Sequence, residues 1–174
     1  ARKSPDINQR SGVSVRASVA NYEAILANAL RRAIKTGELD IVPRISDLPF
    51  IMPSLQGKVE FEAMEEGREE KIMERLFQDA VKSVYARFTE SMDMETLSLQ
   101  FADGIHVTTG ESLPSSEYED IVKRIDGLEA AIEKLVPGGN VANRASAIEF
   151  ILEGLHLSQL LNKDRVGGRT TYMG

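Results

Sequence analysis

The chain contains no cysteine and no tryptophan. The first absence rules out disulfides, thiolate metal sites and a cysteine nucleophile, and it fits a reducing cytoplasm. Histidine is nearly missing too, with two in 174 residues, so acid–base or triad chemistry has few players. No apolar run approaches the length needed to cross a bilayer. The opening Ala1-Arg2-Lys3-Ser4-Pro5-Asp6 leads into polar sequence, unlike a signal peptide. It does not begin with methionine and reads as a loop, so a fragment of a longer chain is expected. No Gly-x-Ser-x-Gly elbow and no Gly-rich loop ending in Gly-Lys-Ser/Thr is present, so nothing here cradles phosphates with backbone N–H groups. Gly138-Gly139 and Gly167-Gly168 lack that frame. A basic stripe is also missing, and the formal net charge is -6, which argues against nucleic acid as a partner. The acidic stretch from Glu60 to Glu74 is interleaved with Arg68 and Lys71 and reads as a solvated helix face.

What is present is a body that is 42% apolar and 28% charged, enough for one compact domain or two small ones sharing a core. Val19, Tyr22, Leu26, Ala29, Leu30 and Ala33 recur at helical spacing and predict a helix over 14–35. Ser14 or Ser18 can cap its start, Arg31, Arg32 and Lys35 complement its dipole, and Gly37 stops it. Pro43, Pro49 and Pro53 punctuate the next stretch and argue against a helix there. Residues 58–62 alternate polar and apolar, as a short strand does, and Ile41-Val42 could pair with them.

The stripe from Ile72 to Phe88 predicts a helix over 66–88, extending toward Met94 or Phe101 before Asp103-Gly104 breaks it. Ile105-His106-Val107 reads as a short extended piece. Ser116 and Glu119 have capping-box spacing, and Ile121, Ile125, Leu128, Ile132 and Leu135 mark one face of a third helix ending at Pro137. A fourth helix, over 143–162, is apolar almost all round, as buried helices are. The tail from Val166 to Gly174 reads as flexible unless docked. There is no internal repeat. The fold class expected is mainly α, a helical bundle with a minor short β element. The division expected is 1–103 and 104–174, the latter a helical region with its tail. The helices at 14–35 and 66–88 are expected to pack on each other.

Two constellations invite chemistry. Glu153 and His156 have the Glu-x-x-His spacing of four-helix di-metal sites, and Glu149 lies one turn earlier. Such sites need two motifs and further glutamates, and only one motif is here. His156 therefore reads as a packing residue, and no metal is assigned. Asp103 and His106 share the spacing, but across a glycine turn. Arg10 and Arg16 flank Gly12 at the start of the first helix. An arginine there offers a planar fork of donors to phosphate oxygens, although most surface arginines are merely solvated.

The run Gln9-Arg10-Ser11-Gly12-Val13-Ser14-Val15-Arg16-Ala17-Ser18 resembles the second-sensor segment of AAA+ ATPases of the magnesium-chelatase and MoxR-like group, where Gly-x-Ser-x-Arg-Ala opens a lid helix. Asn21-Tyr22-Glu23, Arg31-Arg32-Ala33, Val42-Pro43-Arg44, Gly57-Lys58-Val59-Glu60 and the stretch from Glu153 to Lys163 look similar to the bacterial chelatase-like branch. The resemblance implies a lid and C-terminal region of a ring-forming motor. ATP and magnesium would be held by Walker segments outside this chain, so this chain alone would not hydrolyse ATP. It implies that Arg16 reaches the nucleotide's terminal phosphates; Arg10 is a weaker second candidate, since the motif does not need it. It also implies self-association as a ring and a partner bearing a von Willebrand factor A domain, acting in client remodelling or metal insertion. The competing reading is a helical adaptor that docks partners through the apolar face of residues 143–162.

Overall fold

The computed structural model describes residues 4–8, 10, 13–62 and 68–174. It is mainly α with a small three-stranded antiparallel sheet, as expected. The first helix, α1, spans Val15–Thr36. Ser14 Oγ accepts from the Arg16 N–H at 3.2 Å, and Gly37, at φ 73°, closes the other end by sending its N–H to Ala33. Arg32 does more than complement the dipole. It is buried and paired with Asp47, at 3.0 Å, and with Glu38, at 3.3 Å.

The proline-rich stretch departs from expectation: Ile45–Leu55 is a run of 3-10 turns that includes Pro49 and Pro53. Runs this long are uncommon. Packing explains it, since Ile51 and Leu55 are buried and the segment lies along α1. Residues 58–61 do pair, but with the N-terminal segment rather than with Ile41-Val42. Ile7 bridges Phe61, and Val13 bridges Val59.

Helix α2 spans Glu69–Thr89; the part of its expected start before residue 68 lies outside the described residues. It does not run on. Asp93 Oδ1 accepts from the Thr96 N–H at 3.1 Å and caps a separate helix, α3, at Met94–Ala102. Nor does α2 pack chiefly on α1: it lies against the helix at Val141–Leu157, while α1 lies against the 3-10 segment. After Gly104 comes β1, Val107–Gly110.

The expected third helix is broken. Ser115–Tyr118 is 3-10, α4 is Glu119–Val122, and Gly127, at φ 81°, separates it from α5, Leu128–Leu135. The apolar face survives the break, with Ile121, Ile125, Leu128 and Ile132 all buried. Helix α6, Val141–Leu157, is capped by Asn140 and runs through the core. Ile148, Ile151, Leu152 and Leu155 have no exposed surface.

The tail is ordered. β2, Asn162–Val166, turns through Gly167 and Gly168 into β3, Arg169–Met173, which also pairs with β1, giving the order β1-β3-β2. Tyr172, buried in β3, sits opposite both Val107 and Lys163. The main core joins α2 and α3 to α5, α6 and the sheet. A smaller cluster gathers Ile7, Ala17, Leu55, Val59 and Met73.

Candidate functional site

The two sequence-predicted arginines lie around the N-terminal end of α1. The pairings of Ile7 with Phe61 and Val13 with Val59 pin both flanks of the segment that carries Arg10. Ser14 N donates to Lys58 O at 3.1 Å and so fixes the point where α1 begins. Arg16 stands in the first turn, exposed, and its guanidinium meets no partner among the described residues. Arg10 is exposed as well, its backbone N–H donating to Asn8 Oδ1 at 2.9 Å. Gly12, the motif glycine, lies outside the described residues, as do Gln9 and Ser11.

Arg16 heads a face that the chain leaves uncovered. Val19 is 55% exposed, Tyr22 66%, Leu30 43% and Ile34 74%. These positions follow Arg16 at steps of three, three, eight and four, one side of a helix. Ala17, Asn28, Ala29, Arg32 and Ala33 are buried, with Ala29 and Ala33 bordering Tyr22 at the edge of that face.

The acidic residues of α6 sit elsewhere, each engaged by hydrogen-bond donors of this chain. Glu149 is fully enclosed. Its Oε2 accepts from Ser46 N at 2.7 Å, and its Oε1 accepts from Ser46 Oγ at 3.2 Å and from the Tyr118 hydroxyl. Burial pushes its carboxyl above the usual carboxylate range, outweighing those donors and the nearby Arg44 charge. Burial, and then the Glu149 charge, push the Tyr118 hydroxyl upward in turn. One turn on, Glu153 accepts from Lys163 Nζ at 2.8 Å and from the Tyr172 hydroxyl at 2.8 Å. His156 turns away, its Nδ1 3.0 Å from Leu161 O. Among the described residues no three histidine, aspartate or glutamate side chains gather as metal ligands.

Sequence reasoning missed a second buried polar group. Asp47 accepts from Asn28 Nδ2 at 2.7 Å, from Arg32, and from Arg44 N at 2.8 Å. The Arg44 side chain reaches Glu38 at 3.2 Å, Leu113 O at 2.7 Å and Ser115 Oγ, and lies over the Tyr118 ring at 4.9 Å. Glu38 also accepts from Ser115 N at 2.5 Å. Burial works against the charge on Glu38, but the Ser115 and Thr36 donors and Arg44 hold its carboxyl below the usual range. The sequence signal was faint: Arg32, Arg44 and Asp47 fall beside apolar residues, but only the fold shows that they meet.

A cleft of about 450 Å³ opens between the 3-10 segment, α2, α6 and one face of the sheet. Glu149 and Glu153 lie along α6 at its inner side. No protein-family model, no curated protein and no solved structure matches this chain.

Proposed function

We propose that this chain is the lid and C-terminal regulatory part of a ring-forming AAA+ ATPase of the magnesium-chelatase-like kind, in which Arg16 senses the bound nucleotide. The observation that carries the reading is the exposed face of α1, a guanidinium that meets no partner among the described residues followed by exposed apolar side chains. A helix with one face in its own core and a second apolar face in water is built to be covered twice. The nucleotide-holding part of the same ATPase is the cover that also gives Arg16 a ligand. Its fork of donors fits phosphate oxygens. Arg10, nearby and exposed, is a second, weaker contact. An arginine that binds ATP and ADP unequally can bias the lid between two positions, since only a difference in affinity shifts an equilibrium. ATP and magnesium belong to the parent's catalytic half, in a cytoplasmic ring whose partner carries a von Willebrand factor A domain.

The adaptor reading has less support. The apolar residues of α6 that it would present are enclosed by this chain's own core. Docking through them would require unfolding.

The test is ATP hydrolysis and nucleotide affinity of the full-length parent, wild type against Arg16→Ala. Hydrolysis should fall by about tenfold or more, the scale seen on removing a charge-stabilising arginine, with ring assembly intact. A parent without ATPase activity, or a variant that matches wild type, would sink the reading.

A further inference from the structure

The cleft beside α6 is preformed and two-sided. One wall is apolar, with Leu48, Pro49, Met52 and Pro53 from the 3-10 segment and Phe77 and Val81 from α2. The other wall is the sheet face formed by alternate residues: Thr109 of β1, Thr170 and Tyr172 of β3, and Lys163 and Arg165 of β2. Concave sites of this size are where ligands bind, and this one is more polar than most, with one apolar wall.

Its charge is unbalanced. Five carboxylates line it, Glu70, Glu74, Glu111, Glu149 and Glu153, against two cations, Lys163 and Arg165. Lys163 is committed to Glu153, and Glu111 pairs with Arg31 at 3.3 Å. Glu149 is enclosed by Ser46 and Tyr118. That leaves Glu70 and Glu74, one turn apart on α2, and Arg165 on β2 without an ion-pair partner among the described residues, two free carboxylates against one free cation. The free carboxylates therefore stand beside the apolar wall.

We infer that this cleft docks a short polypeptide segment that combines apolar side chains with lysine or arginine. The apolar side chains cover the wall formed by Met52, Phe77 and Val81, and the cations meet Glu70 and Glu74. A polypeptide suits the site better than a small cation because Glu70 and Glu74 share the cleft-lining face of α2 with Phe77 and Val81, so an occupant must bring charge and apolar surface together. Complementary charge of this sort steers encounter and selects partners, and salt screens it. The inference does not depend on the role given to Arg16.

The experiment is fluorescence anisotropy on the whole chain with three dye-labelled 12-residue peptides, one of leucine and lysine, one of leucine and glutamate, one of serine and lysine. The leucine–lysine peptide should bind at least about tenfold more tightly than either other, and more weakly as salt rises. Glu70→Lys with Glu74→Lys should remove that preference without changing thermal stability, and Val81→Glu should weaken binding to the same degree. Equal binding of the two leucine peptides means apolar adhesion, and equal binding of the two lysine peptides means bulk charge. Either result overturns the inference. So does a preference that survives the Glu70/Glu74 change, because binding then lies elsewhere, the α1 stripe included.

Discussion

Gly154 shows how one residue fixes the approach of two helices. A Cβ added there would come 2.0 Å from Tyr85 Cδ2, so the α2 ring lies directly on the α6 backbone. Phe150 meets the same ring edge-on at 5.8 Å. The Tyr85 hydroxyl has no hydrogen-bond partner among the described residues, and burial pushes its pKa up to about 12. Gly154→Ala should cost about 3 kcal/mol by overpacking, read by thermal or urea unfolding. Adding Tyr85→Ala should recover part of that loss, because the clash is shared; two costs that simply add would refute the contact. Glu149 gives a second prediction. Its folded pKa is raised, so the folded state holds the proton more tightly than the unfolded chain does. That contribution is fully present below the ordinary carboxylate pKa and is lost as pH rises through the folded value. Glu149→Gln lacks the titration. Melting temperatures across pH 4 to 8 should therefore show the variant gaining on wild type as pH rises; a flat difference would contradict the burial argument. None of this was legible beforehand. The sequence marks Glu149 and Glu153 as one helix face but cannot say that Ser46, Tyr118, Lys163 and Tyr172 arrive to meet them.

At the scale of elements, what was legible followed periodicity and stop signals. Helix α1 runs over Val15–Thr36 against an expected 14–35, because Ser14 and Gly37 cap locally what the stripe predicts. Elements set by distant packing were hidden. The 3-10 segment holds despite two prolines because α1 covers it, and proline rules carry no such information. The hairpin was partly written in the sequence. Gly167 and Gly168, at φ 59° and 77°, form the two-residue turn that matches strand twist, and Thr170, Thr171 and Tyr172 favour strands. It read as a loose tail because β2 carries Lys163, Asp164 and Arg165, residues that blunt an exposed edge rather than announce a strand. The turn can be tested. Gly168→Ala places a side chain at positive φ, 2.9 Å from Glu111 Oε1, and should destabilise the protein by about 1 kcal/mol. Amide exchange should quicken in β2 and β3 before α6. Unchanged exchange in the hairpin would mean that the turn tolerates the change.

Across the whole molecule, the N-terminal and C-terminal parts are joined by different means on different sides. Apolar contact comes through α2, whose Met73 belongs to the smaller cluster and whose Tyr85 belongs to the larger. Around α1 and the 3-10 segment the connections are polar. Arg44 donates to Leu113 O and Ser115 Oγ, Ser146 Oγ donates to Pro43 O at 2.6 Å, and Ser46 donates to Glu149. Buried polar links add little net stability when complete and cost much when one partner is removed. The α1 unit should therefore open as a block when one such link is cut. Arg44→Met keeps most of the side-chain volume but strips Glu38 of a cation and Leu113 O and Ser115 of a donor. The expected cost is about 3 kcal/mol. It should appear unevenly, with amides of α1 exchanging at least about tenfold faster while those of α6 near Leu152 keep their wild-type rate. Equal acceleration in both helices would show a single cooperative unit, and the polar side would then be as rigid a joint as the apolar one.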